Sequence, residues 1–374
     1  MVWNVCNTNE GTPAPIANIH SYPTTPSYVL SSGKLLQDVL DANKEQLIGR
    51  SVLSKYGSNL PFLPKILSIA KALPLQIHPN KVLAAQLHAE NSDKFSDDNY
   101  KPEIAVALNT FELFAGFKPF DAVEPLMQLA PLKRFLPEGV DVHIESEIVK
   151  QICRAMLIAD ESTVRGVQDS LSKIPRETLG AQSYMLDLLP RLQDQYSKSD
   201  NGILVALTCM NFITLQPGHA VYIPAGGIHA YLSGDIVECM ARSNNVLNTG
   251  FCPRVERDSV DLFTAALTFE HSSVETLLLP RVQSEKSKES KTTAFKPPAG
   301  EFDLLVTELE KGETETVTEV RGPSTMIVTR GSGQMTGGGK VYDLQEGYLF
   351  FIGHGVEVQY TATTRMDVYR ACAE

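Results

Sequence analysis

The chain has 374 residues, 43% of them hydrophobic and 21% charged. That much apolar material points to two domains and excludes a wholly disordered chain. Lys plus Arg number 33 against 44 Asp plus Glu, a formal net charge of −11. This balance excludes broad electrostatic attachment to nucleic acid or to an anionic membrane and leaves room only for a local basic pocket.

Residues 1–30 are rich in Pro, Thr, Ser and Asn and read as irregular loop. From Leu35 the run LLQDVLDANKEQLIG carries helical spacing and stops near Gly49. LPFLPKILSIAKALPLQIHP mixes short apolar runs with breakers, which predicts short strands. Pro79 and Asn80 then open a helix through NKVLAAQLHAEN, and IAVALNTFELFAGF reads as strand, turn, strand. Residues 121–195 change character. Their segments carry apolar residues at helical period, so the spacing predicts a helical insertion. From NGILVALTC onward the pattern returns to strands broken by Gly and Pro, as in a β-sandwich or small barrel, with one helix at RDSVDLFTAALTFE. Residues 281–296, RVQSEKSKESKTTAFK, have little to bury and read as an exposed linker. Residues 297–374 are strand-rich and form a second all-β unit, with the GGGK turn at 337–340 suited to a hairpin. The expected fold is mainly β with a helical insertion.

The six cysteines are scattered and form no CxxC pair, which argues against a zinc ribbon or a disulfide scaffold and for free thiols in a reducing compartment. No apolar run reaches membrane-span length, and the N-terminus shows no basic segment followed by an apolar one. A soluble, cytoplasmic protein is expected, a monomer or weak homo-oligomer with no nucleic-acid or membrane partner.

Three places carry metal-binding chemistry. In GHAVYIPAGGIHAYLSG, the order Gly218, Pro224, Gly226, His229 has the spacing of a cupin motif, in which the His points into a β-barrel. In Leu75-Gln76-Ile77-His78, a strand projects Gln76 and His78 to one face. Glu103 opens an apolar strand, where a carboxylate needs a partner or a metal. Gln76, His78, Glu103 and His229 together offer nitrogen and oxygen donors without sulfur, a set that fits zinc or another divalent ion with an open position. One carboxylate against a doubly charged ion leaves the site near +1, which favours an anionic intermediate such as an enediolate.

LPFLPKILSIAKALPLQIHPNK, DDNYKPEIAVAL with the following GFKP, YIPAGGIHAYLSGDIVECMARSNN, PTTPSYV and FKPPAGEF resemble type I phosphomannose isomerase, over roughly residues 20–374. The resemblance implies a zinc-bearing cupin-like catalytic domain in 1–120 and 196–280, a helical domain in 121–195 and a C-terminal cupin-like domain in 297–374. It implies interconversion of mannose 6-phosphate and fructose 6-phosphate, with one zinc on Gln76, His78, Glu103 and His229. Lys65, Lys101, Tyr231 and Arg254 fall on its substrate-binding positions. Glu238 and Lys101 fall on catalytic ones, Glu238 or a pocket Lys or His being eligible as the base. The chain departs from the family at its N-terminal strand, which is unrecognisable here. It departs again at Ile16 and Asn18, at Pro74 in place of a Ser, and at Asn248 in place of an Arg. Asn248 is where a pocket guanidinium would be lost. Two other readings stand beside the isomerase: a zinc-binding paralogue with little activity, and a cupin metal enzyme of another class.

Overall fold

The structure is a computed structural model that describes residues 1–6, 26–139, 144–268 and 273–374. The strand His229–Ala241 organises its first half. Along most of its length this strand pairs antiparallel with Phe62–Ile69 on one side and Glu103–Ala107 on the other. At its start it pairs instead with Leu75–Ile77 and Phe111–Phe117. Strand His229–Ala241 therefore belongs to two layers of one curled nine-stranded sheet. The change of partner coincides with a register shift between Tyr231 and Ser233, and Gly234 follows at φ 109°. A Cβ on Gly234 would meet the Thr110 carbonyl oxygen at 2.5 Å, so the bend requires glycine. The extra residue also reverses the in–out alternation. His229 and Tyr231, at odd positions, and Glu238 and Met240, at even ones, thereby turn toward one interior.

The second half is built on Asp303–Leu309, Met366–Cys372, Ser324–Arg330 and Leu349–Ile352, paired antiparallel in that order. A four-stranded sheet of Thr314–Val317, Val358–Ala362, Ser332–Gly337 and Lys340–Gln345 packs against it. Gly338 and Gly339, both at positive φ, make the two-residue hairpin turn that the GGGK sequence predicts. The two halves share a core in which Phe62, Ile104 and Val237 meet Leu304, Val306 and Tyr369. On the other flank, helices Ser146–Ile158, Glu161–Leu171 and Met185–Gln195 pack around Asn201–Cys209, whose nine residues are all buried.

Several local expectations hold. Asn80 caps Lys81–Glu90 by accepting from the Leu83 N–H, and the strands Phe62–Ile69, Leu75–Ile77, Glu103–Ala107 and Phe111–Phe117 lie where the pattern puts them. Four readings need correction. Val2–Cys6 is a strand beside Leu349–Ile352, although residues 1–30 read as loop. A five-residue strand whose partner lies far along the chain leaves little local pattern. The helix expected to stop at Gly49 is broken at Asn43 into Leu36–Ala42 and Lys44–Ile48, and a further helix, Arg50–Tyr56, follows Gly49. NGILVALTC is a helix and not a strand; an apolar run buried on every side carries no period to tell the two apart. The polar stretch 281–296 contributes two sheet strands: Arg281–Gln283 forms the half-exposed edge, and Thr292–Phe295 lies inside it, mostly buried and paired on both sides.

Candidate metal centre

Backbone register assembles the site. Gln76 lies directly opposite His229 in one strand pair and opposite Asn248 in the next. Directly opposed residues project to the same face, so Asn248, Gln76 and His229 form one row across three strands. Glu103 enters from the strand on the far side of His229–Ala241, opposite Met240. His78 follows the short strand that carries Gln76.

His78 Nε2 lies 3.1 Å from one Glu103 oxygen, and His229 Nε2 lies 3.5 Å from the other. The Gln76 amide nitrogen is 3.1 Å from His229 Nε2. A half-turn of that amide presents its oxygen in the same place. All three ionisable side chains are buried, each at most 1% exposed. Ligand atoms of His78, Glu103 and His229 fall within 4.8 Å of one another.

The far side of each ring fixes its tautomer. His78 Nδ1 is 2.7 Å from the Asn245 carbonyl oxygen, and His229 Nδ1 is 3.0 Å from that of Gly227. An Nδ1–H that donates to a carbonyl leaves Nε2 as a bare lone pair. His78 Nε2, fully buried, has no hydrogen-bond partner among the described residues. Burial lowers the His78 pKa, with Lys101 adding to the effect, and takes His229 down to about 4, so both rings are neutral near pH 7. Burial alone would raise the Glu103 pKa; the Lys101 ammonium beside it outweighs this and holds it well below the usual carboxylate value. Two neutral imidazoles aimed at an ionised carboxylate, with an amide beside them, fit a divalent cation of the zinc class.

A second ring of charge surrounds these donors. Lys101 Nζ lies 3.0 Å from Glu103, and the Tyr231 hydroxyl donates to Glu103 at 3.4 Å. Lys65 Nζ is 3.8 Å from Glu238. Burial and the charge of Glu103 push the Glu238 carboxyl up to about 7, against the pull of Lys65 and Lys101. The Lys101 ammonium rises above its ordinary value because Glu103 and Glu238 outweigh its burial. The Asn248 backbone N–H donates to the Asp258 carboxylate, and its buried side-chain oxygen has no hydrogen-bond partner among the described residues. Arg254 stands apart from this cluster: it is half exposed and pairs with Glu161 of the helical flank at 3.2 Å. Ile16, Asn18, His20, His143 and His271 lie outside the described residues. The carbonyls of Asn245 and Gly227, which orient the imidazoles, escape sequence reasoning because a backbone oxygen has no residue-type signal.

Buried N/O donors at the junction of a curled antiparallel sheet define a site fit to hold one divalent metal ion. Comparison with known proteins narrows this. The profile described as phosphomannose isomerase type I, catalytic domain, matches residues 10–120. Mannose-6-phosphate isomerase of Schizosaccharomyces pombe is 34% identical over 372 residues, covering 95% of this chain and 89% of the relative. The Candida albicans mannose-6-phosphate isomerase is 32% identical over 391 residues, covering 95% and 88%. The fold is shared with a mutant phosphomannose isomerase from Salmonella typhimurium, at a TM-score of 0.83 and 22% identity over 100% of this chain and 99% of that one. A zinc-bound mannose 6-phosphate isomerase aligns with a TM-score of 0.82, also at 22% identity and the same coverage. The chain belongs to the type I phosphomannose isomerase family.

Proposed function

We propose that this isomerase interconverts mannose 6-phosphate and fructose 6-phosphate through an enediolate, with one zinc held by Gln76, His78, Glu103 and His229. One observation carries the reading: His78, Glu103 and His229 converge within 4.8 Å with both Nε2 lone pairs facing the carboxylate. Zinc in that position would orient the sugar oxygens and stabilise charge on the oxygen that becomes anionic.

The remaining work falls to the protein. Glu238 is the base. Its carboxylate takes the proton from C2 of the aldose while the C2–H electron pair forms the C1–C2 double bond of the enediolate and the C1–O1 π pair moves onto O1. The same proton returns to C1, and the hydroxyl proton on O2 moves to O1 as the ketose carbonyl forms. A pKa near 7 suits a group that must both accept and release a proton. Lys101, between Glu103 and Glu238, keeps the pair from being two unbalanced buried charges. Lys65 holds the Glu238 carboxylate in place. Tyr231, hydrogen-bonded to Glu103, forms one wall of the sugar pocket, and Asn248 offers its free amide oxygen to a sugar hydroxyl. Arg254 reaches the phosphate by exchanging its Glu161 partner, an exposed pair that costs little to break.

We read the two β halves as cupin-like units, the zinc-bearing one formed by 1–120 with 196–280 and the other by 297–374, with 121–195 as a helical domain. We also infer a cytoplasmic protein. The buried thiols of Cys153, Cys209, Cys239, Cys252 and Cys372, and the lack of any described helix long and apolar enough to cross a membrane, support that inference. The intact donor set and the raised Glu238 favour an active enzyme over a zinc-binding paralogue or an oxygenase-type cupin. A coupled assay on purified protein tests this. Isomerisation of mannose 6-phosphate that a chelator abolishes and zinc restores is the expected result; zinc-loaded protein inert toward it would overturn the reading.

A further inference from the structure

We propose, on the reading above that Asn248 and Arg254 face the sugar phosphate, that Asp200 and Arg257 are positioning residues for it: a clamp through which the helical flank sets the turn between those two side chains. The observation is a strained backbone held from two sides. Phe251 stands at φ 53°, where a residue with a Cβ is strained and persists only if its surroundings enforce it. Among the described residues outside glycine, only Ser290 shares that region. Phe251 is 1% exposed, and its ring stacks on Tyr196 with centroids 5.6 Å apart. Asp200, buried, accepts through Oδ1 from the Phe251 N–H at 3.4 Å and from the Gly202 N–H at 2.8 Å. Arg257, mostly buried, donates from Nη2 to Asp200 Oδ2 at 2.6 Å and to the Cys252 carbonyl oxygen at 3.1 Å. Its Nε reaches the same carbonyl at 3.3 Å.

The clamp acts on the site through the backbone. Asp258, next to Arg257, accepts the Asn248 N–H at 2.7 Å, and its own N–H donates to the Asn248 carbonyl at 2.8 Å, so residues 248–258 close into a loop. Gly250 backs onto Gly202, the second residue of Asn201–Cys209; a Cβ on Gly250 would meet the Gly202 Cα at 2.5 Å. The loop is therefore pinned to the start of that helix at residues 250–252. Asn248 leaves the pinned turn on one side, in the row with Gln76 and His229, and Arg254 leaves it on the other. The turn fixes how far Arg254 starts from that row, the span a substrate bridges between its sugar ring and its phosphate. An ion pair that served the helix alone would need no bonds to the Phe251 N–H and the Cys252 carbonyl.

The test measures calorimetric binding of 1,5-anhydromannitol 6-phosphate, which has no carbonyl and cannot isomerise, to zinc-loaded protein, beside kcat and KM for mannose 6-phosphate. Asp200→Asn keeps the helix cap and loses the charge that holds Arg257. Arg257→Lys keeps the charge and loses the fork that reaches Asp200 and Cys252 together. In both variants the Kd of the analogue and the KM for mannose 6-phosphate are expected to rise together by about tenfold, with kcat within about threefold of wild type and zinc content unchanged. A melting temperature that falls while Kd and KM hold marks a purely structural pair and overturns the proposal, as does a loss confined to kcat. An analogue that the wild type fails to bind overturns the clamp together with the reading beneath it; equal binding by the wild type and both variants overturns the clamp alone. Should Asp200→Asn fail to fold, Arg257→Lys decides the matter by the same readouts.

Discussion

Replacing Glu238 by Gln separates the proposed base from the rest of the site, because the amide keeps the shape and loses the titration. The carboxyl is 5% exposed, and its pKa stands at about 7 against an ordinary 4.5. Between those values the folded chain holds a proton that the unfolded chain has released. Stability therefore falls as pH rises from 4.5 to 7, by about 3 kcal/mol at 1.36 kcal/mol per pH unit. Glu238→Gln abolishes that slope. In metal-free protein at pH 8 it is expected to be more stable than the wild type, by up to about 3 kcal/mol less whatever the Lys65 contact contributes. Activity moves the other way. Loss of a positioned base lowers kcat by about 10²–10⁴-fold. The wild-type acid limb of kcat/KM reports ionisation of Glu238 at or below pH 7, since a nearby dication lowers the pKa further, and that limb vanishes in the variant. Urea denaturation at pH 5 and pH 8, with pH–rate profiles of both proteins, reads these quantities. A variant within tenfold of wild-type kcat, or one that keeps the acid limb, refutes Glu238 as the base.

Lys118 is buried and donates to the carbonyls of Leu207 and Thr208 at the end of helix Asn201–Cys209, and burial takes its pKa down from 10.5 to about 7. Wild-type stability is thus expected to climb between pH 7 and pH 10, where only the unfolded chain keeps the proton, and denaturation of Lys118→Met should show that climb removed. Gly202→Ala would set a Cβ 2.7 Å from the Gly250 Cα, pushing the helix off the strand Leu247–Gly250 that carries Asn248; a loss of about 1–3 kcal/mol with weaker zinc retention is expected by calorimetry and metal analysis. Asn248→Arg places a guanidinium in the row with Gln76 and His229, and steady-state kinetics should show KM for mannose 6-phosphate falling about tenfold, the equivalent of about 1.4 kcal/mol for a charge-assisted hydrogen bond.

The donors were legible because their chemistry is local. Gln76 and His78 stand two apart on a strand, Glu103 heads an apolar run, and His229 follows a turn marked by Gly and Pro. What brings them together is not local. The rung that sets Gln76 opposite His229 joins residues 153 positions apart, and the shift after Tyr231 that turns Glu238 inward shows only as Gly234 in a strand. Helix Asn201–Cys209 reads as strand in the sequence for the same kind of reason: total burial erases the polar face that betrays a helix. Arg254 shows the limit of motif matching, since its position in sequence foretells neither its exposure nor its bond to Glu161.

The most direct test of the central claim is a zinc titration of metal-stripped protein followed at once by isomerase activity and by zinc X-ray absorption. Activity should grow in proportion to bound zinc and saturate at one ion per chain, with an absorption spectrum of nitrogen and oxygen neighbours, two of them imidazole, and His78→Ala should bind far less. Full activity without zinc, or an ion whose ligands survive the loss of His78, would contradict the account.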